Sequence, residues 1–285
     1  MQGQAADPGP VDAAVGGEGA VAGDTELAAV RVPGQQQVVA VGREQVHHRG
    51  LGGVQHAEPE VGGRVGRSCD RVVAVPVGVR VVHPGQGDIE AAGGSIVARA
   101  LDARKEDEVA AFLDDADRHA PLEVCIFNVG ANVNFPILET TDRVFRKVWE
   151  MACWAGFLAG RESARLMLPR GQGNIFFTGD TASLRGGSGF AAFASAKFGL
   201  RAVAQSMARE LGPQNIHVAH LIIDSGVDTA WVRERREQLW GKEALNNPDL
   251  LMPPASVAAS YWQLYQQPRS AWTFELEIRP FGEKW

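Results

Sequence analysis

The first 87 residues contain no phenylalanine, tyrosine, tryptophan, isoleucine, lysine or asparagine, and their only leucines are Leu27 and Leu51. Those side chains supply most of the apolar area that a core buries. A stretch without them is hard to close into a globule of its own. What remains is mainly Gly, Val, Ala, Arg, Gln and Pro. The missing Phe, Tyr, Ile, Lys and Asn are, with Met, the residues of A/T-rich triplets. Their joint absence is what a G/C-rich gene yields when read out of frame. Two readings of residues 1–87 stand open. One is a frameshifted, mis-started, fused or disordered segment; the other is a natural Gly/Val-rich extension.

Other absences exclude whole classes of function. No run of about 18 apolar residues exists, so no helix is expected to span a bilayer. The opening MQGQAADPGP has neither the basic start nor the apolar core of a signal peptide. The formal charge is −6 and no polybasic stretch occurs, which argues against a nucleic-acid or membrane-surface partner. The three cysteines, Cys69, Cys125 and Cys153, are too far apart to suggest a disulfide framework or a zinc pair. His47, His48, His56 and His83 are scattered without ligand spacing, so no metal is expected. A soluble, reduced, cytoplasmic protein is the expectation.

From Asp88 onward the missing residues appear and regular periodicity begins. Ser95–Asp102 reads as a strand and Lys105–Ala120 as a helix with Val109, Phe112 and Leu113 on one face. Leu122–Asn128 is a nearly continuous apolar run, as in a strand covered on both faces. A long helix is predicted over Thr141–Met167, capped by Thr140 or Thr141 with Asp142 in its first turn. Gly173–Gly179 is a strand. A second long helix runs from about residue 190 to Leu211, and Ile216–Ile223 is another strand. Residues 255–265 read as helix and Ala271–Arg279 as a closing strand. Upstream, the valine runs Gln37–Gly42 and Arg71–Val82 are candidate strands, although Pro76 and the glycines favour edges or loops.

Strands alternating with helices imply an α/β fold, a doubly wound parallel sheet covered on both faces. Ligands of such sheets lie beyond the carboxyl ends of the strands. That rule alone points to Asp102, Asn128, Thr178–Asp180 and Asp224–Thr229.

Several stretches at those ends resemble the short-chain dehydrogenase/reductase family. Ile89–Gly94 resembles the end of its second helix, and Ala100–Val109 its strand-end aspartate, carried here by Asp102. Asn128–Ala131, "NVGA", stands where the family has Asn-Asn-Ala-Gly. Phe193–Lys197, "FASAK", stands at its Tyr-x-x-x-Lys motif, and Asp224–Thr229 at its Pro-Gly-x-x-x-Thr turn. The resemblance covers residues 88–285. It implies a Rossmann-like sheet, NAD or NADP as cofactor, a small-molecule substrate, and cofactor contacts from Asp102, Asn128, Gly130, Lys197 and Thr229. It also implies a homo-dimer or homo-tetramer assembled through helices 141–167 and 190–211.

The departures are as consistent as the matches. In the family a serine polarises the substrate oxygen, a tyrosine exchanges its proton, a lysine supports the tyrosine and an asparagine holds a water. The motif offsets place the lysine at Lys197, the tyrosine at Phe193, the serine at Asp180 and the asparagine at Cys153. The proline and glycine of the last turn fall on Asp224 and Ser225. Asp180 reads either as a turn or cap residue or as a replacement acid, with Asp224 a possible like-charge neighbour. Lys197 reads as a retained ribose contact, Cys153 as a small buried apolar residue, and Phe193 as core or pocket wall.

The glycine turn that cradles the cofactor phosphates should lie within residues 1–86. Only Gly17–Ala22 offers a Gly-x-Gly-x-x-Ala pattern, and a lone match in a glycine-rich stretch is weak. The sheet is therefore expected to be incomplete at its N-terminal half. Ser95–Asp102 could be left unpaired and the chain poorly stable unless valine-rich segments substitute as strands. The segment after Asp224, with Trp231, Trp240 and Leu239–Leu251, is expected to form a loop that lids the site. Two functions follow: an NAD(P)-dependent oxidoreductase of short-chain type with a non-standard active site, or a catalytically inactive scaffold or oligomer partner.

Overall fold

The computed structural model describes residues 25–31, 37–42 and 95–283. Strands β1 (Thr25–Arg31), β2 (Gln37–Gly42) and β3 (Ser95–Leu101) come first. Helix α1 (Glu106–His119) and strand β4 (Leu122–Asn128) follow. Helices α2 (Asp142–Trp149) and α3 (Ala155–Met167) precede β5 (Gly173–Asp180). The chain continues through α4 (Ala191–Leu211), β6 (Ile216–Ile223), α5 (Ala230–Trp240), α6 (Pro254–Tyr265) and β7 (Glu275–Ile278).

These strands form one seven-stranded sheet in the order β3-β1-β2-β4-β5-β6-β7. From β4 to β7 the pairing is parallel throughout. In the N-terminal half two alternatives left open by the sequence are resolved. Gln37–Gly42 does pair, lying parallel beside β4, and β1 fills the next place. Ser95–Leu101 is not left unpaired: it runs antiparallel to β1 along its whole length. Since β1 is antiparallel to both neighbours, the sheet is parallel only in part. The run Arg71–Val82 lies outside the described residues.

Alternation along the strands builds two cores. Cys125 and Phe127 of β4, Ile175 and Phe177 of β5, and Val218 of β6 bury against the helices of one face. Their neighbours Val124, Ile126, Phe176, Ala219 and Leu221 bury on the other face with Val257, Tyr261 and Leu264 of α6. This double coverage is why β4, β5 and β6 read as unbroken apolar runs rather than as alternating ones.

The helix expected over Thr141–Met167 is present but not uniform. Thr141 caps it by accepting from the backbone N–H of Val144. Between α2 and α3 the segment Glu150–Trp154 widens into a π-turn, an insertion that re-aims the side chains around it. Two further expectations change. The segment after Asp224 is a helix, α5, capped by Thr229, rather than a loop. The closing strand is shorter than Ala271–Arg279, because Arg269–Ala271 forms a turn of 3-10 helix.

Candidate active site

A cleft of about 910 Å³ opens beyond the C-terminal ends of β5 and β6. Asp180, Thr181 and Ile223 form its floor, Phe190 and Phe193 a wall, and Trp231, Leu239 and Trp240 of α5 its other side. α5 buries no side chain of its own, as suits a helix laid over an opening.

Asp180 ends β5 and turns the chain. Its Oδ1 accepts from the Ala182 N–H at 2.8 Å, and its own N–H donates to Ser183 Oγ at 3.2 Å. The two bonds make a reciprocal capping box over Thr181–Ser183. So the turn-and-cap reading holds, and the carboxylate still lines the cleft.

Lys197 approaches from α4, one turn beyond Phe193. Its side chain is 3% exposed; Nζ donates to the Thr178 carbonyl oxygen at 3.0 Å and lies 3.5 Å from Asp180 Oδ2. The ammonium also stands 5.8 Å from the Phe193 ring centre, within cation–π range. Lysine, phenylalanine and aspartate thus converge, as their motif spacing implied. Behind them Thr178 Oγ1 and Tyr261 Oη share a hydrogen bond of 2.5 Å. Burial pushes the Tyr261 phenol far above its ordinary range.

A glycine makes this corner possible. A Cβ on Gly179 would fall 2.4 Å from His220 Nε2 and 3.0 Å from Ser183 Oγ. The imidazole therefore packs directly beneath the strand end that carries Asp180. His220 is fully buried, its Nδ1 is 3.2 Å from Glu275 Oε2, and its Nε2 has no partner. Burial lowers its pKa to about 4, although Glu275 pulls the other way.

Asp224 follows the end of β6, is 1% exposed and is held by cations. It accepts Thr181 Oγ1 at 2.5 Å, lies 2.9 Å from Arg279 Nη2, and takes Arg185 Nη2 at 3.3 Å and 3.5 Å on its two oxygens. Ser225 beside it donates to Glu283 Oε2 at 2.7 Å. Thr181, Arg185 and Arg279 were missed by motif reasoning. Their signal is only visible in three dimensions, where a buried carboxylate needs cations that come from a loop and a distant strand end.

Cys153 lies apart from the cleft. It sits in the π-turn, 4% exposed. The Cβ position of Gly199 is 2.8 Å from its sulfur, so the thiol fills the seam between α4 and the π-turn. Burial raises its pKa to about 11, which suits a packing residue rather than a nucleophile.

Of the remaining expected cofactor contacts, Asp102 ends β3. Burial opposes its charge, but hydrogen bonds from the Arg104 side chain and backbone outweigh this and hold its carboxyl below the usual range. The Arg104 fork binds it at 2.8 Å and 2.6 Å. Asn128 closes β4, and Gly130 follows with nothing within 4 Å of its Cβ position. That open space beside a strand end fits the close approach of a flat ligand to backbone. Thr229 is exposed, its hydroxyl accepting the Val232 N–H. None of Asp102, Asn128, Gly130 and Thr229 lines the cleft itself. Gly17–Ala22 and His47, His48, His56 and His83 lie outside the described residues. Among the described residues, no helix is long and apolar enough to cross a membrane.

Comparison with known proteins agrees with this fold. The family model described as short chain dehydrogenase matches residues 70–240. A crystal structure of a short-chain dehydrogenase from Rhodopseudomonas palustris is 73% identical, covering 70% of this chain and 81% of that one, with a TM-score of 0.59. The actinorhodin polyketide ketoreductase, as a variant with NADPH, shares the fold at 21% identity and a TM-score of 0.60, over 68% of this chain and 80% of that one. The 3-oxoacyl-[acyl-carrier-protein] reductase MabA of Mycobacterium avium is 26% identical over 172 residues, which is 60% of this chain and 66% of that protein. The short chain aldehyde dehydrogenase 1 of Euphorbia lathyris is 28% identical over 120 residues, 41% of this chain and 42% of that one. The chain thus spans less than two thirds of the length of these two curated relatives.

Proposed function

The chain belongs to the short chain dehydrogenase family, and on that premise we propose that it is an NAD(P)-dependent oxidoreductase with a non-standard active site. The observation that carries this reading is the cleft at the ends of β5 and β6, which gathers Asp180, Phe193 and, just behind them, Lys197. Asn128, Gly130 and Thr229 would hold the dinucleotide along the strand ends, with Asp102 toward its adenine end. NADP and NADPH are bound in structures of ElxO and of the ketoreductase variant, which supports the same cofactor class here. The dinucleotide, when bound, would exchange a hydride with the substrate. The chain's own residues orient the substrate and manage its proton.

At the tyrosine position Phe193 has no proton to exchange, and at the serine position Asp180 is paired with Lys197. Proton transfer must therefore use a different group from the family's tyrosine. The same facts favour a second reading, a catalytically inactive scaffold. Fluorescence titration of the full chain with NADPH and NADH separates the two. Saturable binding with a micromolar dissociation constant supports the oxidoreductase; no binding of either supports the scaffold.

Assembly through α2 and α4 is part of this proposal. Phe145 and Trp149 of α2 and Phe198 of α4 remain large, apolar and exposed. Light scattering should give a dimer or tetramer, and Phe198→Asp should shift it toward monomer.

A further inference from the structure

The large apolar residues of α5 all line the cleft, and they do so in two rows spaced by four. One row is Trp231, Arg235 and Leu239; the other is Val232, Arg236 and Trp240. Residues four apart share a helix face, so each row carries an arginine in its middle toward the opening. Arg236 is tied down: its guanidinium lies 5.6 Å over the Trp240 ring and 3.8 Å from Glu283 Oε2. Arg235 makes no hydrogen bond or ion pair among the described residues. The charges of the same helix that do not line the cleft are paired, Arg233 with Asp228 and Glu237 with Lys242.

Arg185 enters from the loop after β5 and is half-exposed. It reaches Asp224 through one nitrogen only, Nη2, at 3.3 Å and 3.5 Å. Asp224 is already held by Thr181 Oγ1 at 2.5 Å and Arg279 Nη2 at 2.9 Å. The Nε and Nη1 groups of Arg185 therefore remain to donate, among the described residues. Guanidinium forks of this kind match a carboxylate.

We propose that the cleft takes a substrate bearing a carboxylate, with Arg235 and Arg185 as its counter-ions and Phe190, Phe193, Trp231 and Leu239 around its apolar body. The two arginines are then specificity-determining residues. Calling the ligand a substrate rests on the oxidoreductase reading, which this deepens. The local charge fits a single anion. Lys197 answers Asp180, so the three lining arginines face two further lining acids, Glu234 and Glu283. One positive charge is left over, which suits a carboxylate better than the dianion of a phosphate monoester.

The test is calorimetric binding to the full chain, with one apolar body carrying different heads: phenylacetate, phenylacetamide, phenethylammonium and benzyl phosphate. Phenylacetate should bind at least about tenfold tighter than the amide, as expected for charge-assisted hydrogen bonds. Arg235→Gln breaks no contact among the described residues, and it should cut that preference by about threefold to tenfold. Adding Arg185→Gln should abolish it. Arg233→Gln removes the same charge from a paired position of α5 and should leave it intact. Equal binding of carboxylate and amide overturns the proposal. So does a lack of phenylacetate binding at millimolar concentration, a preference that survives the double variant, or one that falls as far in Arg233→Gln. Tighter binding of the phosphate or the ammonium overturns the carboxylate assignment. Phenylacetate binding that saturating NADPH abolishes also overturns it, because the arginines would then serve the dinucleotide. Failure of the oxidoreductase reading shows separately, as intact phenylacetate binding in a chain that takes up neither NADPH nor NADH.

Discussion

The ammonium of Lys197 stands 3.5 Å from the carboxylate of Asp180, at the foot of a cleft that the same carboxylate lines. The lysine is thus engaged without a tyrosine beside it. Phe193 supplies a ring face, and Asp180 with the Thr178 carbonyl supplies the polar contacts. The pairing joins a strand end to the second turn of α4, so it fixes the floor of the site to the fold.

Breaking that pair should be costly. Lys197→Met fills similar volume but leaves the partly buried Asp180 without its cation and the Thr178 oxygen without that donor. A loss of about 1–3 kcal/mol is expected, less than for a fully buried pair because Asp180 is partly exposed. Denaturant unfolding with an unchanged slope would measure it. A loss below about 0.5 kcal/mol would mean that the pair contributes little.

Gly179 and His220 make a steric prediction. Gly179→Ala places a methyl 2.4 Å from His220 Nε2 in a closed interior. The strand end must shift, with an expected cost of about 1–3 kcal/mol and a displaced Asp180. His220→Ala removes the obstacle, so the double variant should be more stable than the sum of the single changes predicts. A double-mutant cycle by denaturant unfolding reads this coupling, expected at 1 kcal/mol or more.

His220 also sets a pH dependence. Burial depresses its folded-state pKa to about 4, below the ordinary value of 6.5. The unfolded state therefore binds the proton more readily, and stability rises with pH between those two values. Acidification from pH 6.5 to about 4 should remove on the order of 3 kcal/mol through this residue. His217, also lowered by burial, acts in the same direction. Urea melts at pH 7 and pH 5 should show the loss, and His220→Gln should flatten it. An equally steep dependence in that variant would assign the effect to other groups.

Much of the domain after residue 95 was legible because buried parallel strands and amphipathic helices leave periodic traces. β4, β5 and β6 were visible as apolar runs, and α1 as a stripe of Val109, Phe112 and Leu113. α5 was not, because it buries no side chain and so carries no apolar stripe. The π-turn at Glu150–Trp154 was hidden for another reason: one extra residue per turn leaves no compositional mark. Of the site, Asp180, Phe193 and Lys197 followed from motif spacing and strand ends. The Thr181–Asp224–Arg279 contacts did not, since they join residues 43 and more positions apart.

The last prediction concerns Phe193 itself. The ring is 6% exposed, lines the cleft and lies 5.8 Å from the Lys197 ammonium. Phe193→Tyr adds one hydroxyl, and with it a proton donor that the present floor lacks. A positioned general acid contributes about 10²- to 10⁴-fold. Menthone reduction by NADPH, followed by absorbance, should therefore rise by about 10²-fold or more in this variant. Adding Asp180→Ser should raise it further, because a second donor replaces an acceptor opposite the carbonyl. Unchanged reduction despite NADPH binding would mean that the missing acid is not what limits the site. The reason would then lie in where Lys197 and Asp180 hold each other.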